Sequence, residues 1–168
     1  HNKVAIAKAG AISPLINLLT SGTAGAKKYA AGAIWNLAAD NDKNTVKIAQ
    51  ADAIPPLVKL LTSGTAFAKA NAAGALRILA VHNDINRVAI VEAGAIPPLI
   101  NLLTSGTAGA KKRAAGALCN LAFNNDHNKV AIAKAGAISP LINLLTSGTA
   151  GAKESAAAAL RNLAANND

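Results

Sequence analysis

Apolar and small residues recur along this chain in a pattern that repeats every 42 positions, four times over. In the first copy Val4 and Ile6 sit among small residues and stop at Gly10, the signature of a short helix closed by a glycine. Leu15, Ile16, Leu18 and Leu19 follow at helical spacing, and Gly22 ends that second run. The dipeptide Ser13-Pro14 predicts its start: a serine N-cap and a proline at the first helical position, where the missing N–H costs nothing. Thr23 then caps a third, longer helix from Ala24 to about Ala39, which Asn41-Asp42 breaks. In the second copy Asp52 replaces the terminating glycine, so a strained or differently shaped turn is expected there. Period-two alternation of β-branched or aromatic residues is missing, so no strand competes. The prediction is an all-α chain of short, medium and long helices in four units, 1–42, 43–84, 85–126 and 127–168, forming a single domain 1–168.

A fixed period of this length means a stacked array in which each unit buries its apolar side against the next. His1–Lys27 and His127–Lys153 are the same string. Comparing the copies separates two kinds of position on the third helix. Ala24, Ala26, Lys27, Ala30, Ala31, Ala33, Leu37 and Ala38 are identical in all four units. Positions that pack against identical neighbours should repeat, so these mark the packing faces. Gly25, Lys28, Tyr29, Trp35 and Ala39 vary, and with Gly32 and Asn36 they fall largely on one stripe of a 3.6-residue helix. That stripe is expected to be displayed. It carries Tyr29, Asn71, Arg113 and Ser155 at one level, Trp35, Arg77, Cys119 and Arg161 at a second, and Ala39, Val81, Phe123 and Ala165 at a third. A solvated face free to drift would show the same variation. Asn36 argues for more, because it recurs as Asn120 and Asn162 although Asn is a mediocre helix former. Its amide offers a donor and an acceptor, which match the two polar groups of an extended peptide backbone. Ile78 interrupts the series in the second copy.

Seventeen basic against eight acidic side chains give a net charge of +9, which favours anionic partners at long range. Alanine supplies most of the apolar content and aromatics are nearly absent, so the core must be many small contacts between closely approaching helices. No run of about 18 apolar residues indicates a membrane span. There is no signal-peptide pattern and no initiator Met, which suggests an excised or engineered piece. A lone cysteine, Cys119, cannot form an internal disulfide; a reducing compartment, cytoplasmic or nuclear, is the simpler expectation.

The residues resemble the armadillo repeat. The resemblance rests on the 42-residue unit, the string from Ala9 to Ile16 with its copies, and the third-helix string from Ala114 to Ala122, and it covers the whole chain. Copies this close to one another suggest a consensus design, a reconstructed ancestor or a recent duplication. The resemblance implies a right-handed α-solenoid whose third helices line a concave groove that binds extended peptides. By motif match Asn36, Asn120 and Asn162 take the role of pinning the peptide backbone. Tyr29, Trp35, Asn71, Arg77, Arg113, Cys119, Phe123, Ser155 and Arg161 become the side chains that read the peptide. The importin-alpha branch commonly has tryptophan where this chain has Gly32, Gly74, Gly116 and Ala158. That departure, with the basic residues Lys28, Arg77, Lys112, Arg113 and Arg161, resembles instead the beta-catenin branch, whose groove takes acidic peptides.

Other signals are weaker. The run Ser21 to Lys27 lacks the spacing of a phosphate loop and predicts a helix–helix turn. Lys27, identical in every copy, is expected to cover a unit junction with its stem. His1, His82 and His127 have no triad or metal partner by spacing, so no enzyme, metal or cofactor is indicated. Nucleic-acid binding rests on charge alone, without the aromatics that single-strand binders interleave. The outer units look internal, with Val4, Ile6, Leu160 and Leu163 partly facing solvent, so end-to-end stacking of copies is the remaining alternative.

Overall fold

The computed structural model describes residues 2–165, among which there are twelve α-helices and no strand. The first unit holds α1 (Asn2–Lys8), α2 (Ile12–Ser21) and α3 (Ala24–Ala38); the second α4 (Asp42–Gln50), α5 (Ile54–Ser63) and α6 (Ala66–Leu79). The third holds α7 (Asp84–Glu92), α8 (Ile96–Ser105) and α9 (Ala108–Ala122); the fourth α10 (Asp126–Lys134), α11 (Ile138–Ser147) and α12 (Ala150–Ala164). The units stack as a right-handed α-solenoid, each third helix packing on the third helix of the next unit. His1 and the last three residues lie outside the described residues.

The corner between first and second helices is a Schellman turn. Gly10 N–H donates to Ala7 O (3.2 Å) and Ala11 N–H to Ile6 O (3.3 Å), with Gly10 at φ +88°. Asp52 takes the same left-handed conformation at φ +61°, with the same two bonds at 3.1 and 3.3 Å. Of the two outcomes expected there the structure has the strained turn: the shape is kept, and a Cβ-bearing residue carries the conformational cost. In three units this corner sets the two helices 79–81° apart. The second helix begins earlier than the sequence suggests. Its N-cap is Ala11, in helical conformation and without a side-chain cap, and Leu15 N–H bonds Ala11 O. Ser13 therefore lies inside the first turn and caps nothing. Pro14 is still tolerated, because the first-turn N–H groups have no partner within the helix.

The third helices start as expected. Thr23, Thr65, Thr107 and Thr149 each accept from the backbone N–H three residues on, at 3.2–3.3 Å. Each preceding glycine is needed for space: a Cβ on Gly22 would lie 2.5 Å from Leu18 O and 2.9 Å from Ala26 Cβ. The unit boundary carries a second cap. Asp40, His82 and Asn124 turn the chain at positive φ, and Asn41, Asn83 and Asn125 cap the following first helix.

One continuous core runs through all four units, built of alanines and of Leu57, Leu76, Leu79, Leu99, Leu118 and Leu121. No aromatic side chain is fully buried in it among the described residues. The stack makes the end units different. Ile6 is 46% exposed, whereas its counterparts Ile48, Ile90 and Ile132 are fully buried. Leu145 is likewise 37% exposed against 2% for Leu61 and Leu103. Val4 is no more exposed than its counterparts Val46, Val88 and Val130, so its exposure is not an end effect, while Leu160 and Leu163 are half-buried.

Candidate functional site

The variable stripe runs along α3, α6, α9 and α12. Its packing residues are small: Ala30, Ala31, Ala72, Ala73, Ala114 and Ala115 are buried, which brings α3, α6 and α9 close together. Long side chains from one helix then lie across the next. Trp35 of α3 covers Gly74 of α6; a Cβ there would sit 3.1 Å from the indole and 3.3 Å from Arg113 Cδ. The Arg113 guanidinium stacks 4.2 Å from the Trp35 ring centroid. Arg77 crosses Gly116 in the same way, its Cδ 2.6 Å from a would-be Cβ. Glycine at these positions, where the importin-alpha branch carries tryptophan, thus makes room for a neighbour's side chain.

Four of the expected groove residues meet in one cleft of about 160 Å³: Trp35, Arg77, Arg113 and Ser155, joined by Lys112. Burial, and secondarily the charge of Arg77, hold the Arg113 guanidinium below the ordinary arginine value. The other expected residues are dispersed. Tyr29 is exposed, with the Lys28 ammonium 4.2 Å from its ring and 5.8 Å from that of Phe67. Asn71 is half-buried and donates to Lys28 O at 3.0 Å. Phe123 sits at the end of α9 with Arg87 of α7 5.3 Å over its ring, so a first helix holds it. Cys119 is half-buried, and burial raises its thiol pKa, an effect that the nearby Arg161 partly offsets.

The asparagine series has an architectural task that sequence comparison missed. Asn120 Nδ2 donates to Arg77 O (2.9 Å), and Asn162 Nδ2 to Cys119 O (2.9 Å). Both acceptors are terminal carbonyls of the preceding third helix. The N–H four residues after each bonds elsewhere: Val81 to Ile78 O and Phe123 to Asn120 O. The corresponding carbonyl of α3, Trp35 O, already accepts from Ala39 N–H at 3.0 Å. That is the junction where the sequence has Ile78 instead of Asn. Asn36, at the open end of the stack, is exposed, and its side chain hydrogen-bonds to nothing among the described residues.

Variation also fails as a marker of display on the first helix. Thr45, Arg87 and Lys129 occupy one variable position, yet all are buried. Arg87 donates to Ala80 O (3.0 Å) and Phe123 O (3.1 Å) and pairs with Asp84; Lys129 pairs with Asp126 at 2.7 Å. Beside them the invariant Asn44, Asn86 and Asn128 donate to Leu37 O, Leu79 O and Leu121 O at 2.8–2.9 Å. Their invariance was a usable signal, since a buried Asn must find partners. Lys27 does border the unit junction, beside Ser63, Gly64 and Thr65, as its stem was expected to. Among the described residues no three His, Cys, Asp or Glu side chains cluster as metal ligands, and no single helix is long and apolar enough to cross a membrane.

Comparison with known families decides the identity of this architecture. The model of the Armadillo/beta-catenin-like repeat matches four times, over residues 1–39, 41–81, 83–123 and 125–165. The chain belongs to the armadillo-repeat family. No curated protein sequence matches it. Among solved structures, an engineered protein from a structural genomics consortium is 39% identical, with a TM-score of 0.89 over 96% of this chain. A designed armadillo repeat protein in complex with the peptide (KR)4 is 33% identical, with a TM-score of 0.90 over 99% of this chain. Computationally designed armadillo repeat proteins for modular peptide recognition are 34% identical, with a TM-score of 0.86 over 94% of this chain. The chain spans 65%, 70% and 66% of those three chains respectively. The stripe described above is thus the inner face of an armadillo superhelix.

Proposed function

We propose that the concave face of α3, α6, α9 and α12 is a non-catalytic binding surface for an extended peptide of acidic or neutral character. The observation that carries this reading is charge. Lys28, Arg77, Lys112, Arg113 and Arg161 occupy the third helices, and both ion pairs found among the described residues lie on first helices instead. Unneutralised cations along a groove attract anionic partners and reject cationic ones. The designed relative that holds (KR)4 takes a basic peptide, so the two grooves are proposed to differ in sign. Asn120 keeps one amide hydrogen and its Oδ1 unbonded among the described residues, and Asn36 keeps its whole amide. These are the groups that would pin a peptide backbone. Asn162 offers less, because Arg161 donates to its Oδ1 at 3.3 Å. Units about 10 Å apart against about 3.3 Å per extended residue give two to three peptide residues per unit, roughly 8–12 in all.

Titration calorimetry with acidic, neutral and basic peptides of about 12 residues tests the reading. The acidic peptide should bind tightest, weakening with salt. Preference for the basic peptide, or no binding by any, refutes it.

A second reading concerns the outward faces of the stack. Ile6 and Leu18 are exposed on one, Ile138, Ile142 and Leu145 on the other, and inside the chain the equivalents of Ile6, Leu18, Ile138 and Leu145 are buried at unit junctions. Two copies can therefore join head to tail in the geometry of an internal junction. Light scattering over a concentration series should then give a mass that rises with concentration; a constant monomer mass rules the contact out.

A further inference from the structure

The cleft between α3, α6 and α9 differs from the rest of the groove in having three cations on an aromatic floor. Lys112 and Arg113 of α9 and Arg77 of α6 line it together with Trp35 and Ser155. None of the three cations has a carboxylate partner among the described residues, and Glu154, the nearest acid along the chain to Ser155, forms no ion pair. The Arg113 guanidinium is fixed by the Trp35 ring 4.2 Å away, and Arg77 by its passage over Gly116. The buried Arg77 Nε has no hydrogen-bond partner. Two guanidinium groups are thus held at one opening, partly desolvated, with nothing among the described residues to neutralise them. Such an arrangement is unfavourable by itself and is relieved by an anion. A single carboxylate would cancel one charge. A phosphomonoester brings close to two, and three acceptor oxygens for the forked donors of two arginines. The volume of about 160 Å³ suits a group of that size.

We propose that Arg77, Arg113 and Lys112, over the floor of Trp35, form a subsite for a phosphorylated side chain of the bound peptide. The subsite rests on the groove reading above and makes it specific, because it sets one peptide position apart from the others. Trp35 and Arg113 provide the rigid wall, Arg77 closes the opposite side, and Ser155 can donate from α12.

Two measurements test this separately from the groove. Trp35 is the sole tryptophan, so its fluorescence reports the subsite alone. Phenyl phosphate should produce a saturable change that acetate does not, and that the Arg77→Gln/Arg113→Gln variant loses while keeping its circular dichroism spectrum. Absence of a saturable change overturns the subsite, whether or not peptides bind. In the second measurement, fluorescein-labelled acidic peptides identical except for a central Ser, Glu or phosphoserine are compared by anisotropy. The phosphoserine peptide should bind at least about tenfold tighter than the Ser peptide, the loss expected when a charge-assisted pair is removed. The double variant should reduce that ratio to below about threefold, and Lys59→Gln, on the outer helix α5, should leave it unchanged. A ratio that survives in the double variant overturns the proposal. So does a single-stranded oligothymidylate that outcompetes the phosphopeptide through the same arginines, which assigns the cations to nucleic-acid phosphate. A phenyl phosphate response without peptide binding supports the subsite and removes the groove reading.

Discussion

Replacing Asn120 with alanine separates the architectural and ligand-binding roles of the asparagine series. In the structure Asn120 Nδ2 is 2.9 Å from Arg77 O, a carbonyl that the following turn leaves without a backbone donor. Removing the donor leaves this part-buried carbonyl unpaired, which costs about 1–2.5 kcal/mol. Alanine returns about 0.5 kcal/mol through its better helix propensity. The balance is a destabilisation of about 0.5–2 kcal/mol. For a chain of this size each kcal/mol moves the Tm by about 2–4 °C. Asn36→Ala removes no recorded bond, so it keeps only the propensity gain and its Tm should hold or rise by about 1–2 °C. Thermal melts followed by far-UV circular dichroism make the comparison, and reversible urea unfolding gives the free energies. Equal losses for Asn36→Ala and Asn120→Ala would refute the reasoning, and so would an Asn120→Ala variant as stable as the parent. Calorimetry on the same two variants then isolates ligand binding: if the amide pins a peptide, Asn36→Ala weakens affinity without touching stability.

Three further outcomes follow from the packing. Asp52→Gly removes a side chain held at φ +61°, and should raise stability by about 0.5–1 kcal/mol in urea unfolding; a loss would mean that the Asp52 side chain supports the corner. Leu99 is fully buried, so Leu99→Ala should cost about 2–5 kcal/mol, read as a large drop in urea midpoint. Burial keeps the Cys119 thiol protonated beyond its ordinary range, so its labelling by a disulfide reagent near pH 8 should be slower than that of the denatured chain. Because the folded pKa lies above the unfolded one, this group's contribution is intact below the unfolded value and is lost as pH rises through the folded one.

The period, the helix inventory and the cap at Thr23 were legible because they depend on neighbours close in sequence. Threonine before an alanine-rich run, or glycine after a short apolar one, has few other uses. Ser13 misled for the same local reason. Serine before proline is a good cap, but the Schellman corner at Gly10 already delivers Ala11 in helical conformation, and the helix starts before Ser13 is reached. Identity among copies indicated packing on the third helix at Ala30, Ala31, Leu37 and Ala38, but not at Ala24, which is exposed in every copy. It failed on the first, where Thr45, Arg87 and Lys129 vary while buried, because each finds an acceptor of its own: Thr45 the Ala38 carbonyl, Arg87 the Ala80 carbonyl and Lys129 the Asp126 carboxylate.

By itself the sequence determined the unit: three helices, the threonine cap of the third, the glycine corner after the first, and the fact that each unit must bury one face against a copy of itself. Those properties follow from backbone sterics and from hydrophobic periodicity, which act over a few residues. The tertiary structure decided which side chains meet across units. Trp35, Arg77 and Arg113 come from three different repeats, and they converge only because glycines 74 and 116 and the small alanine ridges let the third helices pack closely. The same stacking turned Asn120 and Asn162 into caps for their neighbours' last turns and left Asn36 free, a difference invisible where the residues are the same.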